Sequence, residues 1–376
     1  MINRSIETRS EQHAPSRGFW GDAWTQFRNR KVALAALLFI ATLSITAVFS
    51  PAIVGTKPIV CRYKNKLYFP CLGYFNRNWE NAIFKTKDKF RGVYPRNLTA
   101  KDPDHWVLWP MKYQDPYRPV RKDEWKGVAG YDDSADLNRA NPRGADGHPS
   151  WRNWFGTKQG VDVYAQMVHG TRIALLVGFV STGLASIIGI TMGAIAGYFG
   201  GWIDMFLSRL LELVMCIPAL VLILAIISIL EKPTIWWLMA ILGLTGWTGI
   251  ARLTRAEFMK LKETEFVSSA RSIGAGPFRI MFRHIFPNAL APILVPIAFG
   301  IAGAILTEAA LSLLGFGAPP PNPSWGAILQ GGRQNHHYWW LIVFPGTAIF
   351  MTVLAYNLLG EGIQESTDPR LREPGK

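Results

Sequence analysis

Ile173-Ala-Leu-Leu-Val-Gly-Phe-Val-Ser-Thr-Gly-Leu-Ala-Ser-Ile-Ile-Gly-Ile-Thr-Met-Gly-Ala-Ile-Ala-Gly-Tyr-Phe199 passes without a single charged residue. A helix needs about 20 apolar residues to cross a bilayer, so this stretch is long enough to span one. In hydrocarbon a lone segment must satisfy its own backbone hydrogen bonds, which only the helix does. Five more uncharged windows read the same way: 32–56, 213–230, 235–251, 285–307 and 338–360. The third is expected to begin earlier, near Leu207, and the fourth to run past Arg252 by snorkelling. Six spans make this an all-α membrane protein. The chain's 49% hydrophobic and 18% charged residues therefore average over unlike parts. A soluble multidomain enzyme is excluded, and apolar content is too high for a disordered chain. Three cysteines make neither a disulfide framework nor a four-cysteine metal cage.

Lys and Arg in short loops set orientation. Six lie in residues 1–31, which with a full-length first span read as an uncleaved anchor. Arg209, seven residues between Arg252 and Arg283, and three in the tail share their side, whereas Lys232 and Arg333 lie opposite. Both termini are expected in the cytoplasm. The net charge of +14 then gives no reason to invoke nucleic acid. Residues 55–168 hold 20 Lys and Arg against 12 Asp and Glu on the outer side, a length of chain that escapes the rule. Rich in aromatics, Pro and Gly, this insertion reads as an irregular or strand-containing domain. Its clearest piece is Cys61–Cys71, where alternating apolar residues flank Lys64-Asn65-Lys66 like a hairpin. Cys61 and Cys71 either pair as a disulfide or stay as two buried thiols.

Catalytic apparatus is missing from the pattern. There is no Gly-x4-Gly-Lys-Ser/Thr phosphate loop and no His-Glu-x2-His or paired-cysteine metal motif. No catalytic, cofactor-binding or metal-ligating residue is expected. His336-His337 falls in an outer loop and reads as a solvated pair. Within the spans only Arg209, Glu212 and Glu308 are ionisable, and the first two stand one turn apart, as a local pair would. Glu308 either lines a pathway or makes a structural hydrogen bond. Gly189, Gly193 and Gly197 recur every fourth residue, for close packing within the subunit or against a partner. Pro218, Pro292, Pro296 and Pro345 mark kinks or hinges. Trp20, Trp24 and Phe27 lie at helical spacing beside Arg28, Arg30 and Lys31, as in an interfacial helix.

The informative loop is 252–287. Thr264 is placed to cap a short helix whose Phe266, Ala270 and Ile273 form an apolar stripe, beside Ser268, Ser269, Arg271 and Ser272. Gly274 and Gly276-Pro277 stop it. On the residues alone, such a helix rests on anionic lipid or receives another protein.

Here the chain resembles binding-protein-dependent ABC importer permeases of the oligopeptide and dipeptide class. Ser268-Ser269-Ala270, Gly274 and His284-Ile285-Phe286-Pro287-Asn288 resemble their EAA loop, although Ser268 and Ser269 replace the usual residues. Supporting blocks are His169-Gly170-Thr171-Arg172, Ala196 to Gly201, Glu308 to Ser312, Pro323 to Gly326 and Phe344-Pro345-Gly346. The outer motif Gly156 to Asp162 lacks the family's first Asp and the Arg before Asp162. The resemblance implies a six-helix permease of the MetI-like type and an ATPase-coupling loop containing Glu265, Phe266, Ser268, Ser269, Ala270, Arg271, Gly274, His284 and Pro287. It also implies cytoplasmic ATP-binding ABC subunits, a second permease subunit and an extracytoplasmic solute-binding protein in a cytoplasmic membrane. Peptides are the substrate class; nickel or other metal complexes and opines are the alternative, and a non-transporting receptor or scaffold is the other. The expected divisions are 1–31 with the interfacial helix, 32–54 as first span, 55–168 outside, 169–360 as five-helix core, and 361–376 as tail.

Overall fold

The computed structural model describes residues 19–63, 65–75, 106–117, 154–231, 233–318, 322–334 and 337–367. The expectation for His336 and that for residues 368–376 of the tail lie outside those residues, whereas 361–367 continue the last helix. Helix α1 (Phe19–Asn29) leads into α2 (Lys31–Ile53), and a small sheet follows: β1 (Val60–Tyr63), β2 (Lys66–Tyr68) and β3 (Trp106–Leu108). The chain returns through a two-residue hairpin, β4 (Thr157–Lys158) and β5 (Val161–Asp162), into α3 (Val163–Phe199). Then come α4 (Gly201–Met215), α5 (Ala219–Ile229), α6 (Ile235–Leu261) and α7 (Glu265–Ser272). Helix α8 (Pro277–Leu313), α9 (Trp325–Gln334) and α10 (Trp340–Thr367) complete the chain.

All six expected spans fall on helices. Four of these, α2, α3, α8 and α10, are singly long and apolar enough to cross a membrane, and the pair α4–α5 makes a fifth. That pair is bent by 79°, at the place where Pro218 is expected to kink or hinge the span. The cause is Pro218, which has no N–H to continue the ladder. Pro292, Pro296 and Pro345, by contrast, sit inside unbroken helices. Helix α6 covers the window 235–251 and runs past Arg252 to Leu261, as expected.

Helix α3 is the axis of the bundle, packing on α2, α6 and α8. Its glycines meet α6. A Cβ built on Gly189, Gly193 or Gly197 falls within 2.7 Å of the carbonyl oxygen of Trp247, Ala251 or Arg255, respectively. Both numberings rise together, so α3 and α6 run parallel. The glycine repeat thus serves packing within the subunit, where small residues let two backbones close up.

Helix α1 and the start of α2 meet the last turns of α10 at one end of the bundle. Phe27 and Ala33 pack where a side chain on Gly362 would stand, and Arg30 pairs with Glu365. Trp24 is exposed and stacks on the buried Phe27.

At the opposite end the insertion begins. Strands β2-β1-β3 form an antiparallel sheet with Cys61 opposite Tyr68 and Val107. Asn65 turns the hairpin at φ 61°, which asparagine tolerates better than most residues. The Cys71 thiol donates to the Ile59 carbonyl at 3.3 Å.

Candidate functional site

The loop 252–287 folds back onto the ends of α3 and α6. Helix α7 presents Val267 and Ala270, both buried, to Phe258 of α6 and to Ile280, Met281 and Ile285 of α8. The stripe expected from the sequence is therefore corrected. Positions i and i+3 face inward, while Phe266 and Ile273, 41% and 85% exposed, face out. Thr264 occupies the N-cap, but its hydroxyl donates to the Leu261 carbonyl at 2.5 Å instead of capping α7. The Thr264 carbonyl receives the N–H groups of Val267 and Ser268, both at 3.1 Å.

The far end of α7 closes tightly. The Gly274 N–H reaches the Arg271 carbonyl at 3.0 Å and that of Ala275 the Ala270 carbonyl at 3.1 Å. This pair of bonds is the Schellman closure, which needs a left-handed residue just beyond the helix. Gly274 supplies it at φ +82°. Glu265, Ser268, Ser269, Arg271, Gly274 and Pro287 all lie at the surface, whereas Ala270 is buried and His284 half-buried. The sequence reading missed Phe278 and Phe282, 71% and 67% exposed on the first turns of α8. Their signal was an i, i+4 pair alternating with Arg279 and Arg283. Phe266 and Ile273 are likewise exposed, so the loop carries four large exposed apolar side chains beside exposed Arg271, Arg279 and Arg283, a composition that suits a docking face.

At the insertion end, a polar junction joins three parts of the chain. Asp162 caps α3 by accepting from the Ala165 N–H at 2.8 Å, and its other oxygen accepts from Lys112 Nζ at 2.9 Å. Burial pushes the Asp162 carboxyl above its ordinary value, and the Lys112 ammonium pulls it back. Lys112 also lies over the rings of Trp154 and Tyr164. The insertion delivers this lysine from 50 residues upstream. No local pattern announces such a pairing. Close by, the Thr56 hydroxyl donates to Asp115 at 2.9 Å and its N–H to the Tyr74 hydroxyl at 2.8 Å. Arg172 donates to the Tyr74 carbonyl at 3.0 Å, and His169 Nε2 to that of Val54 at 2.8 Å.

This junction predicts its own weak point. Lys112→Met would strip a fully buried carboxylate of its ion partner, a loss of about 3 kcal/mol. Faster protease clipping of the outer segment is expected, with Lys112→Arg protected like the native protein. Equal clipping of all three would mean the pair holds nothing together.

Glu308 is 1% exposed and accepts from the Ser312 hydroxyl at 2.6 Å, and Ser312 in turn lies 3.3 Å from Ser324. Beside it, a Cβ on Gly326 would fall 2.5 Å from that of Ser312, and the Trp325 indole donates to the Met167 carbonyl at 3.0 Å. The structural reading of Glu308 fits this setting. Arg209 and Glu212 form the local ion pair at 2.6 Å. Among the described residues no cluster of His, Cys, Asp and Glu is arranged to hold a metal.

Residues 189–373 match the family described as binding-protein-dependent transport system inner membrane component, and residues 18–66 match the N-terminal TM domain of oligopeptide transport permease C. A dipeptide transport system permease protein of Alkalihalophilus pseudofirmus is 38% identical over 64% of this chain and 79% of its own. A peptidoglycan transport system permease protein of Agrobacterium fabrum is 33% identical over 92% of both chains. An inner membrane ABC transporter permease of Escherichia coli is 30% identical over 92% of this chain and 96% of its own. The two longer matches, at 92% of this chain, run through most of the insertion.

Proposed function

The chain belongs to the family of binding-protein-dependent transport inner membrane components, and from that premise we propose how it works. It is a permease subunit of an ABC importer, moving peptides or peptide-bearing compounds across the cytoplasmic membrane. Both termini lie in the cytoplasm, residues 55–168 lie outside, and 169–360 form the five-helix core behind the first span. ATP hydrolysis belongs to a partner chain. The loop 252–287 docks on that partner through Phe266, Ile273, Phe278 and Phe282, with Arg271, Arg279 and Arg283 at the rim.

The observation that supports this most is the two-faced build of α7. Its inner face is locked to α6 and α8 by Val267 and Ala270, while its outer face leaves large apolar groups exposed. A helix that merely rested on lipid would have no need of so firm a tie to two spans. Movement of a bound partner would instead pass straight into them, a two-state element biased from a distance. A second permease subunit completes the pathway, and an extracytoplasmic binding protein delivers the solute. Peptides are favoured because the relatives' names specify dipeptide and peptidoglycan transport.

The test is purification of the full chain from its own membranes, with identification of what comes with it. Capture of an ATP-binding subunit whose hydrolysis rises with a solute-loaded binding protein supports the reading. A chain recovered alone, with its loop substitutions silent, overturns it.

A further inference from the structure

Between α3 and α4 the backbone takes two successive left-handed steps, at Gly200 (φ +66°) and Gly201 (φ +56°). A Cβ on Gly201 would meet nothing within 4 Å and one on Gly200 only the flexible end of Lys262, at 3.5 Å, so little packing stiffens the joint. Beyond it, α4 buries only Leu211. Something else must fix where α4 points. In its first turn, Asp204 takes both prongs of the Arg255 guanidinium from α6: Nη2 to Oδ2 at 2.7 Å, and Nε to Oδ1. Ser208 donates to the same carboxylate at 3.4 Å. A two-pronged grip fixes angle as well as distance, which a lysine at the same place would not do.

Arg255 is well placed to transmit. Its carbonyl faces Gly197 of α3, and Phe258, one turn further on, packs against α7. We propose that Asp204–Arg255 is the strut by which α6 drives the broken pair α4–α5, so that displacement of α7 swings α4 about Gly200–Gly201. Asp204 and Arg255 are thus positioning residues for transport. This rests on the coupling reading of α7 given above.

The experiment measures solute taken up per ATP hydrolysed, in vesicles carrying the whole transporter. Asp204→Asn keeps the shape of the side chain and removes its charge. Hydrolysis stimulated by the binding protein is expected to persist, while the uptake-to-hydrolysis ratio falls roughly tenfold, the scale of a typical coupling free energy. The exchanged pair, Asp204→Arg with Arg255→Asp, is expected to recover most of that ratio. Should Asp204→Asn fail to accumulate, Arg255→Lys carries the same test, since it keeps the charge and gives up the two-pronged grip. A ratio unchanged in the single variant, or no better in the exchanged pair, overturns the strut. Native chain that binds no ATPase would overturn the permease reading instead, and the two failures are distinct.

Discussion

Gly193→Leu will leave almost no folded protein, whereas Gly183→Leu on the same helix will accumulate normally. At Gly193 a Cβ alone would lie 2.4 Å from the Ala251 carbonyl oxygen, 2.8 Å from Thr254 Cβ and 3.0 Å from the Arg255 nitrogen. Two of those neighbours are backbone and cannot rotate away, so α3 and α6 would have to part along their whole glycine seam. Overpacking of a core costs about 1–3 kcal/mol when side chains can yield. Here they cannot, and a larger loss is expected. Gly183, by contrast, has nothing within 4 Å of its Cβ. The measurement is monodisperse yield and thermal midpoint of the detergent-solubilised chain for the two variants side by side. Comparable yields would mean that the seam between α3 and α6 is looser than described.

Gly274→Val will give the second large effect, of a different kind: the protein will reach the membrane but lose its ATPase. No neighbour lies within 4 Å of a Cβ at Gly274, so crowding is not the mechanism. The difficulty is φ +82°, a conformation costing a β-branched residue about 1–3 kcal/mol. Relief requires opening the turn that holds Ala275 to Ala270, and that turn sets where Phe278 and Phe282 stand relative to Phe266 and Ile273. Ala275 and Ile280 anchor the loop to the spans from within, so the bundle itself should persist. Yield is expected near native, with capture of the ATP-binding subunit lost. Native capture and uptake by this variant would remove the loop from the coupling pathway.

Much of this was legible before any coordinates. Charge-free windows locate helices because a bilayer admits little else, and all six windows lie on helices. Glycines at every fourth position announced a seam, but periodicity could not say whether its partner was internal; the facing carbonyls of Trp247, Ala251 and Arg255 decide that. The bend after Met215 is legible only as Pro218, and proline is an ambiguous sign, since Pro292, Pro296 and Pro345 leave α8 and α10 whole. At α7, a helix of eight residues has too few turns for a 3.6-residue period to fix which face is buried, so Val267 was overlooked and Phe266 and Ile273 were assigned to its stripe. The partnerships of Lys112 with Asp162 and of Arg255 with Asp204 span 50 and 51 residues. Nothing local encodes such pairs. They exist because the fold brings distant segments together.

The most direct test of the central reading is transport by the reconstituted assembly. The chain, its partner permease, the ATP-binding subunits and the binding protein would be placed in vesicles with labelled peptide outside and ATP inside. Uptake that requires ATP and binding protein, and disappears with Gly274→Val while the vesicles still contain the chain, is the predicted result. Uptake that proceeds without ATP, or survives intact in that variant, would contradict it.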